Sequence, residues 1–152
     1  MKLAGALIII VCSVISGLML SAYSSDACEA AEQIYRAMKY IRDEICENRT
    51  PTDIILSRLP ALFGGADAGA ENVFDALSAY LQKLGDGERR VLREFSAVTG
   101  KGDAEVQRGA FDALLSRYET LLSARRQKSK NAPKLYTAAA LFIGVSAVII
   151  FL

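Results

Sequence analysis

Residues Leu3–Ala22 read LAGALIIIVCSVISGLMLSA, twenty positions without a charged side chain. Wound as an α-helix at about 1.5 Å per residue, the stretch is about 30 Å long, the thickness of a bilayer's hydrocarbon core. Leu3, Leu7, Ile8, Ile9, Ile10, Val11, Val14, Ile15, Leu18 and Leu20 each favour insertion. At about −0.3 to −0.6 kcal/mol apiece they contribute roughly 3 to 6 kcal/mol. One lysine at the centre would cancel about half of that, and none is present. The rival is a cleaved signal peptide, for which Lys2 supplies a thin charged region and Ala22-Tyr23-Ser24 a loose small-x-small site. The apolar run exceeds the usual signal core of about 7–15 residues, and Val11 before Cys12 is too large for a lipoprotein signal. An uncleaved transmembrane helix over residues 3–23 is expected.

A second charge-free run, Leu135 to Leu152, is expected to form another transmembrane helix over residues 135–152. At about 27 Å it just spans a bilayer. A soluble core helix would carry a polar face, and here the small polar side chains are only Thr137 and Ser146. Arg125, Arg126, Lys128, Lys130 and Lys134 stand before this run and no basic residue follows it. Basic residues stay in the cytoplasm, so they orient the chain with its centre cytoplasmic and both termini outside. Lys2 competes with the more distant Arg36, Lys39 and Arg42 at the other run and is less decisive. The same basic residues suit anionic lipid, at about 1 kcal/mol each near the surface.

Between the runs, residues 26–130 read as helices. Ala31, Ile34, Tyr35, Met38, Ile41 and Ile45 recur three and four apart, with Arg36, Asp43 and Glu47 turned away. Asn48 and Arg49 end this helix. Thr50 is then expected as an N-cap, with Pro51 at the first helical position and Asp53 in the first turn. That second helix is expected to close at Pro60, before a glycine-rich loop from Gly64 to Gly69. A third helix is expected on the stripe Val73, Phe74, Leu77, Tyr80, Leu81 and Leu84, stopped by Gly85. Asp86 would cap a fourth, with Val91, Leu92, Phe95 and Val98, ending at Gly100. A fifth starts at Asp103 and carries Phe111, Leu114, Leu115, Tyr118, Leu121 and Leu122. No alternating strand pattern occurs. The expected class is all-α, an antiparallel helical bundle flanked by N- and C-terminal transmembrane helices.

The composition excludes several chemistries. Net charge is +1, which gives no electrostatic case for nucleic acid. Histidine is absent, and the three cysteines, Cys12, Cys28 and Cys46, are too scattered for a metal site. Cys28 and Cys46 lie about 27 Å apart on one helix, too far for a disulfide within the chain. Gly100-Lys101 lacks both the earlier glycine and the following Ser or Thr of a phosphate loop; a helix stop followed by a cap accounts for it. Asp43-Glu44, and Glu88 near Glu94, read as exposed helix faces with no apolar pocket to raise a pKa. No catalytic residue, metal or cofactor is expected, and the chain reads as a non-enzyme.

Several positions together resemble the stage III sporulation protein AB family, inner-membrane components of the channel between mother cell and forespore. Met1–Ile8 resembles that family's short anchor. Ile41-Arg42-Asp43-Glu44-Ile45, followed after four residues by Thr50-Pro51, resembles its "E-I … T-P" element, and Gly102-Asp103 leading to Gln107 a second element. Tyr136 ahead of the final run completes the set. Where the family often has glycine before Thr-Pro, this chain has Asn48-Arg49, and its Gly64–Gly69 loop is unusual.

The resemblance implies a domain similar to the F-type platform protein of type II secretion and type IV pilus machines. It implies a place in the mother-cell membrane around the forespore. The implied partners are a secretion-type ATPase, other membrane proteins of the sporulation channel and the lipid bilayer, with a homo-oligomer compatible. Glu44, Thr50, Pro51 and Gln107 are the motif positions singled out as a partner interface. Helix capping and packing are a sufficient alternative for Thr50 and Pro51. A membrane-tethered adaptor binding a soluble cytoplasmic partner is the alternative function.

Overall fold

The computed structural model describes residues 2–67, 69–102 and 104–151, with side chains described from residue 11 onward except at 104, 132, 137, 140–141, 144–145 and 147–151. All six elements are helices: α1 (Lys2–Cys46), α2 (Thr52–Leu62), α3 (Val73–Ala76), α4 (Ser78–Leu81), α5 (Asp86–Val98) and α6 (Ala104–Phe151). No strand occurs among the described residues. The chain divides into two compact units, Met1–Cys28 with Arg125–Leu152, and Glu29–Ala124.

In the first unit, α1 exposes Val11, Ile15, Leu18, Met19 and Leu20. Among the described residues, the part of α1 from Val11 contains a stretch long and apolar enough to cross a membrane, and only 6% of that stretch is buried. A soluble core helix would hide such side chains, because each costs about 1.5–3 kcal/mol left in water. The second apolar run is helical through Phe151. Its described side chains Leu135, Phe142 and Ile143 are exposed, and most of the others lie outside the described ones. Arg125 donates to the Ala27 carbonyl at 3.3 Å, while Arg126, Lys128, Lys130 and Lys134 are exposed.

The second unit holds one apolar core. Ala31, Ile34, Ala37, Met38 and Ile41 of α1 meet Ile55 and Leu59 of α2, Val91, Leu92 and Phe95 of α5, and Phe111, Tyr118 and Leu122 of α6. These residues fall on the stripes that the three-and-four spacing marks. Phe95 and Phe111 lie with ring centroids 4.6 Å apart. Tyr118 is fully buried, stacks on Tyr35 at 6.3 Å, and donates its hydroxyl to the Ala31 carbonyl at 3.2 Å. A buried phenol requires such an acceptor. Arg42 of α1 bridges Asp43 at 2.8 Å, Asp112 of α6 at 3.0 Å and Glu47 at 3.4 Å. Hydrogen bonds to Asp43, then Asp112, raise its pKa further and keep it charged at any working pH.

Five local expectations are corrected. The stripe from Val73 to Leu84 forms not one α-helix but two four-residue helices, α3 and α4, broken at Leu77 (φ −99°, ψ 17°). Tyr80, Lys83 and Leu84 each donate to the carbonyl three residues back. This is the 3₁₀ pattern, and an apolar spacing of three does not distinguish it from an α-helix. Pro60 does not close α2, which runs on to Leu62. Only one ladder bond is lost there, and Phe63 still donates to Leu59 at 2.7 Å. Gly85, not Asp86, is the N-cap of α5. Glu88 is buried, not on an exposed face, because its carboxylate accepts the Gly85 N–H at 2.8 Å.

The fifth correction concerns Thr50. It is not the cap of α2, which starts at Thr52 with Pro51 at the N-cap and no side-chain cap. The expected start and cap of the last helix at Asp103 lie outside the described residues. The glycine-rich loop is irregular, as composition indicates, yet tied down. Asp67 donates from its backbone to Ala76 at 2.8 Å, and Gly69 donates to the Asp67 carboxylate at 3.1 Å. Gly65 lies under the Tyr80 ring, where a Cβ would approach Cζ to 2.9 Å.

Candidate functional site: a cleft at the α1–α2 turn

The α1 helix ends because Arg49 turns into the left-handed region (φ 52°), which sends the chain back on itself. Thr50 then donates its N–H to the Glu44 carbonyl at 2.9 Å and its hydroxyl to the Glu44 carboxylate at 2.6 Å. A short bond to a carboxylate is among the stronger neutral-to-charged contacts. With its hydroxyl so engaged, Thr50 is not available to cap α2. Arg49 occupies a backbone conformation that favours glycine. Arg49→Gly should therefore stabilise the fold by about 0.5–1 kcal/mol, once glycine's larger unfolded-state entropy is subtracted. Thermal unfolding of the two proteins checks this, and a lower midpoint for the glycine variant would show that the Arg49 side chain outweighs the strain.

Further along the sequence, α5 stops through Gly100 (φ 79°), with Lys101 donating to the Val98 carbonyl at 3.1 Å. Gly102 (φ 89°) makes the second left-handed step before α6. Gln107, in the first turns of α6, is 4% exposed and donates from Nε2 to the Gly102 carbonyl at 3.3 Å. Among the described residues its Oε1, which is buried, has no hydrogen-bond partner.

These turns meet. Ile45, Arg49, Thr50, Pro51, Thr52, Gly100, Gly102 and Gln107 line an open cleft of about 320 Å³. Three of the four motif positions, Thr50, Pro51 and Gln107, are thus in one wall system, and Glu44 holds Thr50 from behind. Arg125, Arg126, Lys128, Lys130 and Lys134 belong to the other unit. Thr52 and Gly100 are cleft residues that motif reasoning passed over; Arg49 figured there only as a departure from glycine, and Gly102 only as the start of the element leading to Gln107. Gly100 carried a signal, but it read only as a helix stop. Among the described residues no group of three or more His, Cys, Asp or Glu is placed to hold a metal ion.

The family model described as stage III sporulation protein AB matches residues 66–152, more than half of the chain. The chain belongs to this family. It is a stage III sporulation protein with an apolar N-terminal helix of membrane-spanning length. No curated protein and no solved structure matches it. The matched segment includes Gly100, Gly102 and Gln107 but begins after Glu44, Thr50 and Pro51. The cleft therefore joins residues inside the family match to residues outside it.

Proposed function

We propose that the chain is an integral-membrane platform of the sporulation channel between mother cell and forespore, coupling a cytoplasmic secretion-type ATPase to the channel's membrane proteins. The observation that carries this is an exposed apolar helix, long enough to span a bilayer, in a stage III sporulation protein. Both apolar runs span the membrane in this reading. The unit between them is a cytoplasmic antiparallel bundle of the secretion F-domain type. Arg126, Lys130 and Lys134 recur four residues apart, so one face of α6 carries basic groups ahead of the second run. No acidic residue follows Glu119, which suits the cytoplasmic leaflet and its anionic lipid. The role is docking and load-bearing, without catalysis or cofactor.

Co-purification from detergent-solubilised sporulating cells tests the role. The full chain should retain the secretion-type ATPase, and Pro51→Ala should insert normally yet lose that retention several-fold. Loss of thermal stability with ATPase retention by the folded fraction unchanged would return Pro51 to a purely structural part. Absence of the ATPase from the wild-type eluate, under conditions that keep the channel's other membrane proteins bound, would overturn the coupling role.

A further inference from the structure

Helix α5 carries its arginines as neighbours. Arg93 follows Arg89 by four residues and Arg90 by three, the two spacings that set side chains side by side on a helix, about 5–6 Å apart at Cβ. Like charges so placed repel, and a nearby acid is the usual relief. Other arginines of the same unit have it: Arg42 bridges Asp43 and Asp112, and Arg117 bridges Glu94 at 2.9 Å. Among the described residues no ion pair engages Arg89, Arg90 or Arg93. The acids beside them on α5 are committed, Glu88 to the Gly85 N–H and Glu94 to Arg117. Two of the three arginines are instead held by contacts that leave donors open. Arg89 donates from Nε to the Leu81 carbonyl at 2.8 Å, a bond in which its two Nη groups take no part. Arg93 is exposed and lies over the Phe74 ring, 5.2 Å from its centroid, a contact that uses its charge and no particular N–H. Phe74 is itself tied to α5, its N–H donating to the Ser96 hydroxyl at 3.2 Å. Arg90 is exposed beside them.

We propose that this arginine face of α5 docks an acidic segment of a partner protein, whose Asp or Glu carboxylates accept paired hydrogen bonds from Arg90 and Arg93 and a further one from Arg89. A guanidinium presents its donors as a planar fork that matches a carboxylate. Side chains already held in place lose less freedom when the partner arrives. Protein carboxylates fit better than a run of phosphates, because Asp86, exposed one turn before Arg90, repels a continuous polyanion. A protein surface of mixed charge sets a neutral or basic group there. The proposal rests on the docking role above and names the chemistry of one contact.

The probe is a fluorescent, alanine-based helical peptide with three glutamates on one face, titrated with the full-length chain in zwitterionic detergent micelles at low salt. Its anisotropy should saturate, and the same peptide with glutamine for glutamate should bind about tenfold more weakly or worse. Arg90→Lys with Arg93→Lys keeps the charge and removes the forks, and should cost about tenfold. Arg90→Gln with Arg93→Gln should abolish saturation. Lys128→Gln with Lys130→Gln and Lys134→Gln should leave the affinity within about twofold, since these lysines belong to the other unit. Equal affinity for the two peptides overturns the proposal, and this comparison on the unaltered chain decides even if a variant does not fold. Loss of binding in the triple lysine variant, tighter binding of a phosphoserine peptide, or a dimer of the unaltered chain that Arg90→Gln with Arg93→Gln dissolves would each give the face or the probe another partner and overturn it too. No ATPase enters the experiment. A negative result therefore dismisses the arginine face while leaving the platform role to co-purification.

Discussion

Phe111→Ala should destabilise the Glu29–Ala124 unit by about 3–5 kcal/mol, the largest effect expected of any single core truncation here. The ring is fully buried and lies 4.6 Å from that of Phe95, so its loss removes transfer energy and leaves a void walled by helices. For a domain of this size each kcal/mol lowers the melting midpoint by about 4–8 °C, which places the expected drop above about 12 °C. Phe95→Ala should act comparably. The double variant should lose less than the sum, because the pair itself is worth about 0.5–1.5 kcal/mol beyond its area and is removed only once. Leu62→Ala is the contrast: Leu62 is 55% exposed, and its removal should change stability by less than about 0.5 kcal/mol. Thermal melts of the four variants against the unaltered chain measure all of this. Equal midpoints for Phe111→Ala and Leu62→Ala would mean that the core is not organised around the phenylalanine pair.

The core residues are those the helical stripes mark because burial acts on one face of a helix at a time, and that face repeats every three or four residues whatever it packs against. Phe95, Phe111 and Tyr118 are therefore readable singly. Their pairing is not, because α5 and α6 meet through the turn at Gly100–Gly102. The stripe from Val73 to Leu84 shows the limit of periodicity, since Leu77, Tyr80 and Leu84 serve a 3₁₀ winding as well as an α-helix. Side-chain bonds to the backbone are less legible still. Glu88 looks like a surface acid until its bond to the Gly85 N–H is known, and Thr50 looks like a cap until Arg49 turns it toward Glu44.

The cleft illustrates the same division. Glu44, Thr50, Pro51 and Gln107 stand out as positions in motifs, but nothing in their spacing places Gln107, more than fifty residues on, beside Pro51. What joins them is backbone conformation: one left-handed step at Arg49, and two more at Gly100 and Gly102. Glycine announces such a step, and arginine conceals it. A position where the side chain conflicts with the backbone it must adopt is where pattern reading fails and where function is worth seeking.

Membrane attachment gives the second large effect, and it distinguishes one span from two. Val11 lies near the middle of the first run, and Phe142 near the middle of the second; both are exposed. Lysine at the centre of a span costs about 2.5–3.5 kcal/mol, and removing the apolar residue forfeits about 0.3–0.6 more. Against the roughly 3–6 kcal/mol that drives insertion of the first run, Val11→Lys leaves that run near balance. If both runs span, Val11→Lys and Phe142→Lys should each stay in the pellet after carbonate washing, because the other helix still holds the chain. The double variant should be released in large part. A tag at the N-terminus, reached by external protease in the unaltered protein, should become protected in Val11→Lys, since a failed first span leaves that end with the unit proposed to be cytoplasmic. Release by Val11→Lys alone would reduce the anchor to the first helix and remove the second from the platform; retention of the double variant would mean that neither apolar run is what holds the protein to the membrane.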